Sequence, residues 1–133
     1  MLPFQLALTP GVPVSDQVVY AVTKAIVAGR LRAGDEFPSV RVLSQELRIN
    51  PNTAQRIIST LVTQGLLDVH PGIGTRVSAT RTPTRTERQG LLRHDVEALV
   101  VEAKRLHLEL DDLLDAVKSH WHALERPKAR SER

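Results

Sequence analysis

The sequence predicts a mainly α-helical chain with one small β-hairpin, divided into an N-terminal part and a C-terminal helical part. Apolar residues recur at three- and four-residue steps through most of the chain, which is the spacing of amphipathic helices. Two short apolar runs near the middle flank a Pro/Gly turn, as expected of a hairpin. Aromatic residues make up only 3% of the chain, so aliphatic residues and alanine must supply the core.

The composition is that of an ordinary globular protein. Of the 133 residues, 41% are hydrophobic and 25% are charged, close to the average for folded domains. The absence of cysteine excludes disulfides and thiolate-bound metal centres and agrees with a reducing cytosol. We find neither a secretory signal nor an uncharged run of about 18 residues that could cross a membrane. We therefore expect a cytoplasmic protein with no membrane partner.

The surplus of positive charge lies in the first two thirds of the chain. Residues 1–90 contain ten Lys/Arg and six Asp/Glu, whereas residues 91–133 contain eight and nine. The net charges of +4 and −1 are what a nucleic-acid-facing part and a neutral assembly part would show. The difference is weak support by itself, because any two parts of a protein can differ by five charges.

The first helix follows an irregular, proline-containing lead-in at residues 4–14. Ser15 or Asp16 is expected to cap this helix, and Gly29 to end it. Its predicted apolar face consists of Val18, Val19, Val22, Ile26 and Val27. Residues 31–38 then form a turn with room for one short extended segment.

Two more helices follow, separated by a short break. Ser39 is a strong N-cap for the second helix, whose apolar residues are Val42, Leu43 and Leu47. Asn50 can cap the third helix, at about residues 51–64, with a proline at the first helical position, where the missing N–H costs nothing. Gly65 ends that helix. Its predicted buried residues are Ile57, Ile58, Leu61 and Val62.

Residues 66–70 and 75–77 are the two strands of the predicted hairpin, joined by the turn 71–74. The order of helix, short strand, helix, tight turn, helix and hairpin is that of a winged helix-turn-helix domain, here residues 1–78. In such domains the second helix crosses the DNA backbone and the third enters the major groove. Polar residues on the third helix suit that role, although a merely solvated face would look the same. These residues are Asn52, Thr53, Gln55, Arg56, Ser59 and Thr60.

The first 78 residues resemble the GntR family of bacterial transcription regulators. The resemblance covers roughly residues 4–78 and rests on segments in register at 13–17, 28–35, 38–43, 50–53, 65–67 and 72–75. The Asn-Pro-Asn-Thr sequence at 50–53 and the short C-terminal part are similar to the YtrA-type branch. The resemblance implies a cytoplasmic, nucleoid-associated repressor that is no enzyme and binds a near-palindromic DNA operator as a homodimer.

The resemblance also implies where the DNA is held. Arg41 lies where the family has an arginine that contacts DNA, and it could bind a phosphate or a guanine edge; a surface pair with Glu46 or Asp35 is the alternative. Pro51 and Gln55 stand where other branches have arginines, so the specificity of those branches does not transfer. The expected DNA-binding residues are Ser39, Arg41, Asn50, Asn52, Thr53, Gln55, Arg56, His70, Gly72, Gly74 and Arg76.

Within the expected wing, residues 70–76, the glycines allow a tight turn and a close approach of the backbone to DNA. His70 and Arg76 could reach the minor groove or a phosphate, and a solvent-facing His70 is the alternative. Residues 79–90 are expected to be a linker. Its arginines are expected to be solvated, with phosphate contacts as the alternative; they are Arg81, Arg85 and Arg88.

The C-terminal part, residues 91–126, carries a heptad pattern. Its apolar residues alternate by four and three positions, so the segment must pack against another helix, such as its copy in a second subunit. The pattern consists of Leu92, Val96, Leu99, Ala103, Leu106, Leu110, Leu113, Val117, Trp121 and Leu124. From these we expect dimerisation through Leu99, Leu106, Leu110, Leu113, Val117 and Trp121. The tail, residues 127–133, is expected to be disordered.

Whether this part is one helix or two stays open. The resemblance implies a break near residues 106–109, but His107 and Glu109 replace the glycine and small cap residue found in YtrA-type proteins and favour continuity. About 40 residues are too few to enclose a metabolite pocket, so an effector is not identified. No cofactor is expected. The histidines are not spaced as a metal site and are expected on the surface; they are His94, His107, His120 and His122.

Two other classes of function fit the sequence less well. An adaptor that has lost DNA binding would lack a polar third helix, and here that face is intact. A small hydrolase would need a nucleophile elbow or a phosphate-binding loop, and neither occurs in the sequence.

Overall fold

The computed structural model describes residues 2–79 and 82–126. Within them the chain forms two compact units, residues 2–79 together with 125–126, and residues 82–124. The fold class is confirmed: the described chain is mostly helical with one small antiparallel sheet. Its elements are α1 (Val14–Val27), β1 (Glu36–Phe37), α2 (Val40–Leu47), α3 (Pro51–Thr63), β2 (Leu67–His70), β3 (Gly74–Val77), α4 (Arg85–Gly90), a π-helical segment (Leu91–Asp95), α5 (Val96–Arg105) and α6 (Leu110–Ala123).

The start of α1 differs from the prediction. Its N-cap is Pro13, in an extended conformation, and no side chain caps the helix. The expected caps Ser15 and Asp16 lie inside the first turn, where the Asp16 carboxylate still interacts favourably with the positive end of the helix dipole. At the other end Gly29, with φ of +80°, stops the helix as predicted.

The buried face of α1 is narrower than predicted. Val18, Val22 and Ala25 are buried, whereas Val27 is 51% exposed. The lead-in also contributes to the core, which the sequence pattern did not indicate: the Phe4 ring stacks on Phe37 with the ring centroids 6.0 Å apart. Isolated apolar residues in irregular segments carry no periodicity, so only the folded structure identifies Phe4 as a core residue.

The helix-turn-helix forms as the sequence predicts. The Ser39 hydroxyl accepts a hydrogen bond from the Val42 N–H at 3.2 Å, which caps α2. Between the helices, Arg48 adopts a left-handed conformation with φ of 55°. Of the apolar α3 residues, Ile57, Ile58 and Leu61 pack in the core with Ala54; Val62 is partly exposed.

The hairpin is confirmed and is part of a three-stranded sheet in the order β1-β3-β2. β2 and β3 pair antiparallel, with Leu67 opposite Val77 and His70 opposite Gly74. β1 adds to the outer edge of β3, with Glu36 opposite Arg76. Because Leu67, Val77 and Phe37 are buried, the sheet packs on the helices and holds the wing in a fixed position beside α3.

The second unit begins earlier than predicted. Helix α4 starts at Arg85, inside the segment 79–90 that was expected to be a linker. The reason is a capping box: the Thr84 hydroxyl accepts from the Glu87 N–H at 3.1 Å, and the Glu87 carboxylate accepts from the Thr84 N–H at 2.8 Å. Arg81 and the tail 127–133 lie outside the described residues.

The C-terminal unit is not one long helix: α4, the π-helical segment and α5 follow one another without interruption over residues 85–105, and α6 is separate from them. His107, with φ of 61°, takes the left-handed conformation that ends α5, and Glu109 starts α6 through a capping box with Asp112. The two residues expected to favour continuity therefore make the break. Histidine is among the residues that tolerate a positive φ, and the Asp112 carboxylate accepts from the Glu109 N–H at 3.1 Å.

Candidate nucleic-acid interface

Helix α3 presents a polar face opposite its buried side. The buried residues Ala54, Ile57, Ile58 and Leu61 recur at helical spacing, so the opposite side of the helix is exposed. Asn52, Gln55, Arg56, Ser59 and Thr63 are exposed, and Thr53 is half-buried. The predicted groove residues 52, 53, 55 and 56 are thus near one another in the N-terminal half of α3. Thr63 extends this face toward the C-terminus of the helix.

Asn50 has a structural task in addition to any contact with DNA. Its Oδ1 accepts a hydrogen bond from the Asn52 N–H at 2.7 Å, which caps α3. Pro51 is the first helical residue, as predicted. Asn50 therefore has a structural role as the cap of α3.

Gln55 and Ser59 are joined by a hydrogen bond on the exposed side of α3. The Gln55 Nε2 donates to the Ser59 Oγ at 3.2 Å. The two residues are four positions apart, so their side chains lie next to each other on the helix surface. Sequence reasoning had placed Ser59 only among the polar residues of this helix. The i, i+4 spacing from Gln55 was the available signal for the pair.

The N-terminus of α2 carries Arg41 in its first turn. The side chain is exposed, and the Ser39 cap leaves the first-turn N–H groups at an open helix end. Such an end favours an anion because of its free N–H groups and the helix dipole. The roles expected for Ser39 and Arg41 at a DNA phosphate stay a prediction.

A groove between α1 and α3 adjoins the polar face of α3. It has a volume of about 370 Å³, and its lining includes Asp16, Tyr20, Arg56 and Thr60. Arg56 thus lies at the border between the polar face of α3 and the first two turns of α1.

The wing turn has the geometry that the glycines predicted. The Ile73 N–H donates to the His70 carbonyl at 2.9 Å, with Pro71 and Gly72 at the centre of the turn. Gly72 and Gly74 have φ of +77° and +121°, and a Cβ at either would meet nothing within 4 Å. Their glycine identity is required by the backbone conformation and not by crowding within the protein.

His70 and Ile73 are the exposed side chains of the wing turn. His70 is exposed at the end of β2. Ile73 is 68% exposed at the tip, and the sequence prediction missed it as a potential contact. An apolar residue between two glycines was the available signal.

Arg76, which was expected at the DNA, makes side-chain contacts within the protein. Its Nη1 donates to the Gly34 carbonyl at 3.1 Å, and its Nη2 lies 3.8 Å from the Glu36 carboxylate. Both partners belong to the segment around β1, which pairs with β3. The guanidinium therefore connects the wing to the turn before α2, and its charge is partly balanced by Glu36.

The second unit exposes an apolar stripe on α6. Leu110, Leu114, Val117 and Trp121 repeat at helical spacing, and Leu110 and Trp121 are 69% and 70% exposed. Leu113, an expected dimerisation residue, is half-buried, and Leu114 joins the exposed stripe. On α5, Leu99 is exposed as well. Because the break at 106–109 interrupts the heptads, the apolar residues form one stripe on each helix.

Arg105 and Glu102 form an ion pair on α5 in the second unit. The Arg105 Nε donates to the Glu102 carboxylate at 3.0 Å, and this contact lowers the pKa of Glu102 below its ordinary value. Among the described residues, no group of three or more histidine or acidic side chains is placed to hold a metal ion. Of the helices in residues 2–79 and 82–126, none has the length and hydropathy needed to cross a membrane.

Comparison with known proteins places the sequence among bacterial regulators. Residues 14–77 match the family described as bacterial regulatory proteins, gntR family. The HTH-type transcriptional regulator YhcF of Bacillus subtilis is 29% identical over 106 residues, which is 80% of this chain and 84% of YhcF. The HTH-type transcriptional repressor YtrA of the same organism is 26% identical over 107 residues, 80% of this chain and 82% of YtrA.

Solved structures share the fold. A transcriptional antiterminator from Listeria monocytogenes EGD-e superposes with a TM-score of 0.81 over 97% of both chains, at 17% identity. The DNA-binding domain of AraR in complex with the operator ORX1 has a TM-score of 0.50 and 25% identity, and covers 56% of this chain and 95% of that domain.

Proposed function

We propose that this chain, whose residues 14–77 match the GntR family of regulators and whose relatives include the repressor YtrA, is a DNA-binding repressor that binds a near-palindromic operator as a homodimer. The observation that carries the proposal is the exposed polar face of α3, next to a wing of fixed geometry. The AraR domain, whose fold is similar, is bound to its operator ORX1 in the solved complex, and this supports the proposal.

In the proposed complex α3, about residues 51–64, lies in the major groove. Asn52, Thr53, Gln55 and Arg56 then face base edges, because side chains in the N-terminal half of a recognition helix point into the groove. Asn50 contributes mainly by capping the helix that carries them.

The backbone contacts flank the groove. Arg41 and the α2 N-terminus, including the turn capped by Ser39, hold one phosphate. The wing, residues 70–76, lies on the minor groove or the adjacent backbone through His70 and the backbone of Gly72 and Gly74. Arg76 takes part indirectly, by fixing the wing.

The second unit serves dimerisation. Within one chain the apolar stripe on α6 is exposed. A second copy covers it and places two winged units on one duplex, as two-fold symmetry of the operator requires. We assign this role to Leu99, Leu106, Leu110, Val117 and Trp121, with Leu113 at the border.

Regulation, not catalysis, is the proposed activity, and it takes place in the cytoplasm on the chromosome. Residues 1–78 bind DNA and the helical unit dimerises. Arg85 and Arg88 are exposed on α4, at the start of the helical unit. The effector that releases the protein from DNA stays unidentified.

An electrophoretic mobility shift with the promoter region of its own gene tests the proposal. We expect a discrete complex at about 100 mM salt that resists competition by random duplex, because specific sites bind at least about a thousandfold more tightly than non-specific DNA. A complex that random duplex removes at equal concentration would contradict it.

A further inference from the structure

The proposed function leaves open which base pairs α3 selects, and the hydrogen bond between Gln55 and Ser59 bears on that question. Both side chains are exposed on α3, yet the Gln55 amide is already oriented, because its Nε2 donates to the Ser59 Oγ at 3.2 Å. A glutamine on a solvated helix face ordinarily samples many rotamers. Here a neighbour one turn away restricts it before any DNA is bound.

We propose that Ser59 positions the amide of Gln55 to read an adenine in the major groove of each half-site. The inference rests on the proposed function and adds to it one base and one positioning residue. In this arrangement Gln55 contacts the base, and Ser59 acts through Gln55.

The hydrogen-bonding groups of the oriented amide match adenine. The Nε2 group has two hydrogens, and donation of one to Ser59 leaves one donor together with the Oε1 acceptor. Adenine presents an N6–H donor and an N7 acceptor in the major groove, so both free groups find a partner. Guanine presents two acceptors, N7 and O6, and would leave Oε1 without a donor. The bond to Ser59 therefore adds selectivity as well as order.

Orientation before binding also favours affinity. A long polar side chain loses rotamer freedom when it is fixed at an interface, and a side chain that is already fixed loses less. Ser59 restricts the rotamers of Gln55 with little effect on the stability of the fold. Both side chains lie on the exposed surface of α3, whose other side carries the core residues Ile57, Ile58 and Leu61.

Selection from a pool of random DNA duplexes, with the full chain, tests the inference. We expect the wild-type protein to enrich a palindromic motif with a preferred adenine in each half-site. Gln55→Ala should relax that one position, with about a tenfold loss of discrimination. Ser59→Ala should relax it in part, and Ser59→Thr, which keeps the hydroxyl, should restore it.

Two controls keep the outcome interpretable. Gln89→Ala makes the same substitution on α4 in the second unit and should leave every base preference unchanged. Ser59→Ala replaces serine by a better helix former, so its thermal unfolding midpoint should not fall. A loss of discrimination in that variant then reports on Gln55 and not on folding.

A second measurement identifies the base atoms. Replacing the preferred adenine by 7-deazaadenine removes the N7 acceptor, and should weaken binding of the wild type about tenfold and of Gln55→Ala hardly at all. Equal weakening of both proteins would show that N7 is contacted by some other group and would overturn the assignment of Gln55.

The outcomes separate the inference from the proposed function. If the wild type enriches no motif, the proposed function fails and the inference with it. If a motif is enriched but Gln55→Ala keeps every preference, or relaxes a G·C position, the adenine assignment is wrong while the proposed function stands. If Ser59→Ala retains the full preference that Gln55→Ala loses, Ser59 has no positioning role.

Discussion

At the residue scale, two arginines show how the fold assigns different roles to the same side chain. Arg41 is exposed in the first turn of α2, at a helix end that favours anions. Arg76 is hydrogen-bonded to Gly34 and lies beside Glu36. The first guanidinium is available to a phosphate, and the second is engaged within the winged unit.

Arg41→Ala should therefore weaken operator binding by about 1–3 kcal/mol and reduce the salt dependence of binding by about one phosphate. The measurement is a titration of the operator duplex at several salt concentrations. Arg41→Lys keeps the charge and should retain most of the salt dependence. An unchanged affinity in Arg41→Ala would remove this residue from the interface.

Arg76→Ala should act on stability instead. Loss of the hydrogen bond to Gly34 is expected to lower the free energy of unfolding by about 1 kcal/mol; the ion pair with Glu36 adds little, because it is partly exposed and long. Denaturant unfolding measures the first effect, and the slope of affinity against salt should stay that of the wild type. A slope reduced as in Arg41→Ala would show that Arg76 neutralises a phosphate.

The two arginines show which side-chain contacts can be predicted from the sequence and which cannot. Arg41 was placed by a resemblance and by its position after a cap, both local in sequence. The Gly34 partner of Arg76 lies 42 residues away, and it becomes a neighbour only because β1 pairs with β3. No local pattern in the sequence indicates that pairing, so the engagement of Arg76 within the protein could not be predicted without the fold.

At the scale of elements, helix starts could be predicted where a single side chain makes the cap. Ser39 and Asn50 cap α2 and α3 as their identity suggests. Thr84 and Glu109 also start helices, through capping boxes. The start at Thr84 was missed because its Thr/Arg-rich segment looked like a linker. The start at Glu109 was implied only by the resemblance, because the heptad pattern runs through the break.

Substitutions at His107 test the break directly. Glycine raises the free energy of unfolding where the backbone is left-handed and lowers it inside a helix. His107→Gly should raise the free energy of unfolding by about 0.5 kcal/mol, since glycine adopts a positive φ without strain, and His107→Val should lower it by about 1 kcal/mol. Thermal unfolding at fixed protein concentration measures both. In a continuous helix the glycine variant would be destabilised instead, by about 1 kcal/mol.

At the scale of the whole molecule, the exposed stripe on α6 should mediate self-association. Leu110→Asp places a charge within the apolar stripe, where its desolvation opposes assembly, and should shift a dimer toward monomer. Analytical ultracentrifugation measures the shift, and an unchanged dimer would exclude this part of the stripe from the interface. Ser119→Asp is the matched control, because Ser119 lies on the opposite side of the same helix and should leave the dimer intact.

For the second unit, the sequence predicts the need for a partner helix but not the geometry of that contact. The apolar spacing shows that the C-terminal residues require a partner, and residues such as Leu110 and Trp121 are exposed in one chain, as that requirement implies. The heptad pattern also runs through residues 106–109, where α5 ends and α6 begins. His107 and Glu109 make the break between α5 and α6; the resemblance implied it, whereas these two residues by themselves favoured a continuous helix.

The stoichiometry of the full chain on its selected duplex tests the central claim most directly. Native mass spectrometry of the complex should show two chains on a duplex with two half-sites, and scrambling one half-site should weaken binding strongly. One chain per duplex, with equal affinity for the intact and the half-scrambled site, would contradict an operator read twice by a symmetric pair of α3 helices.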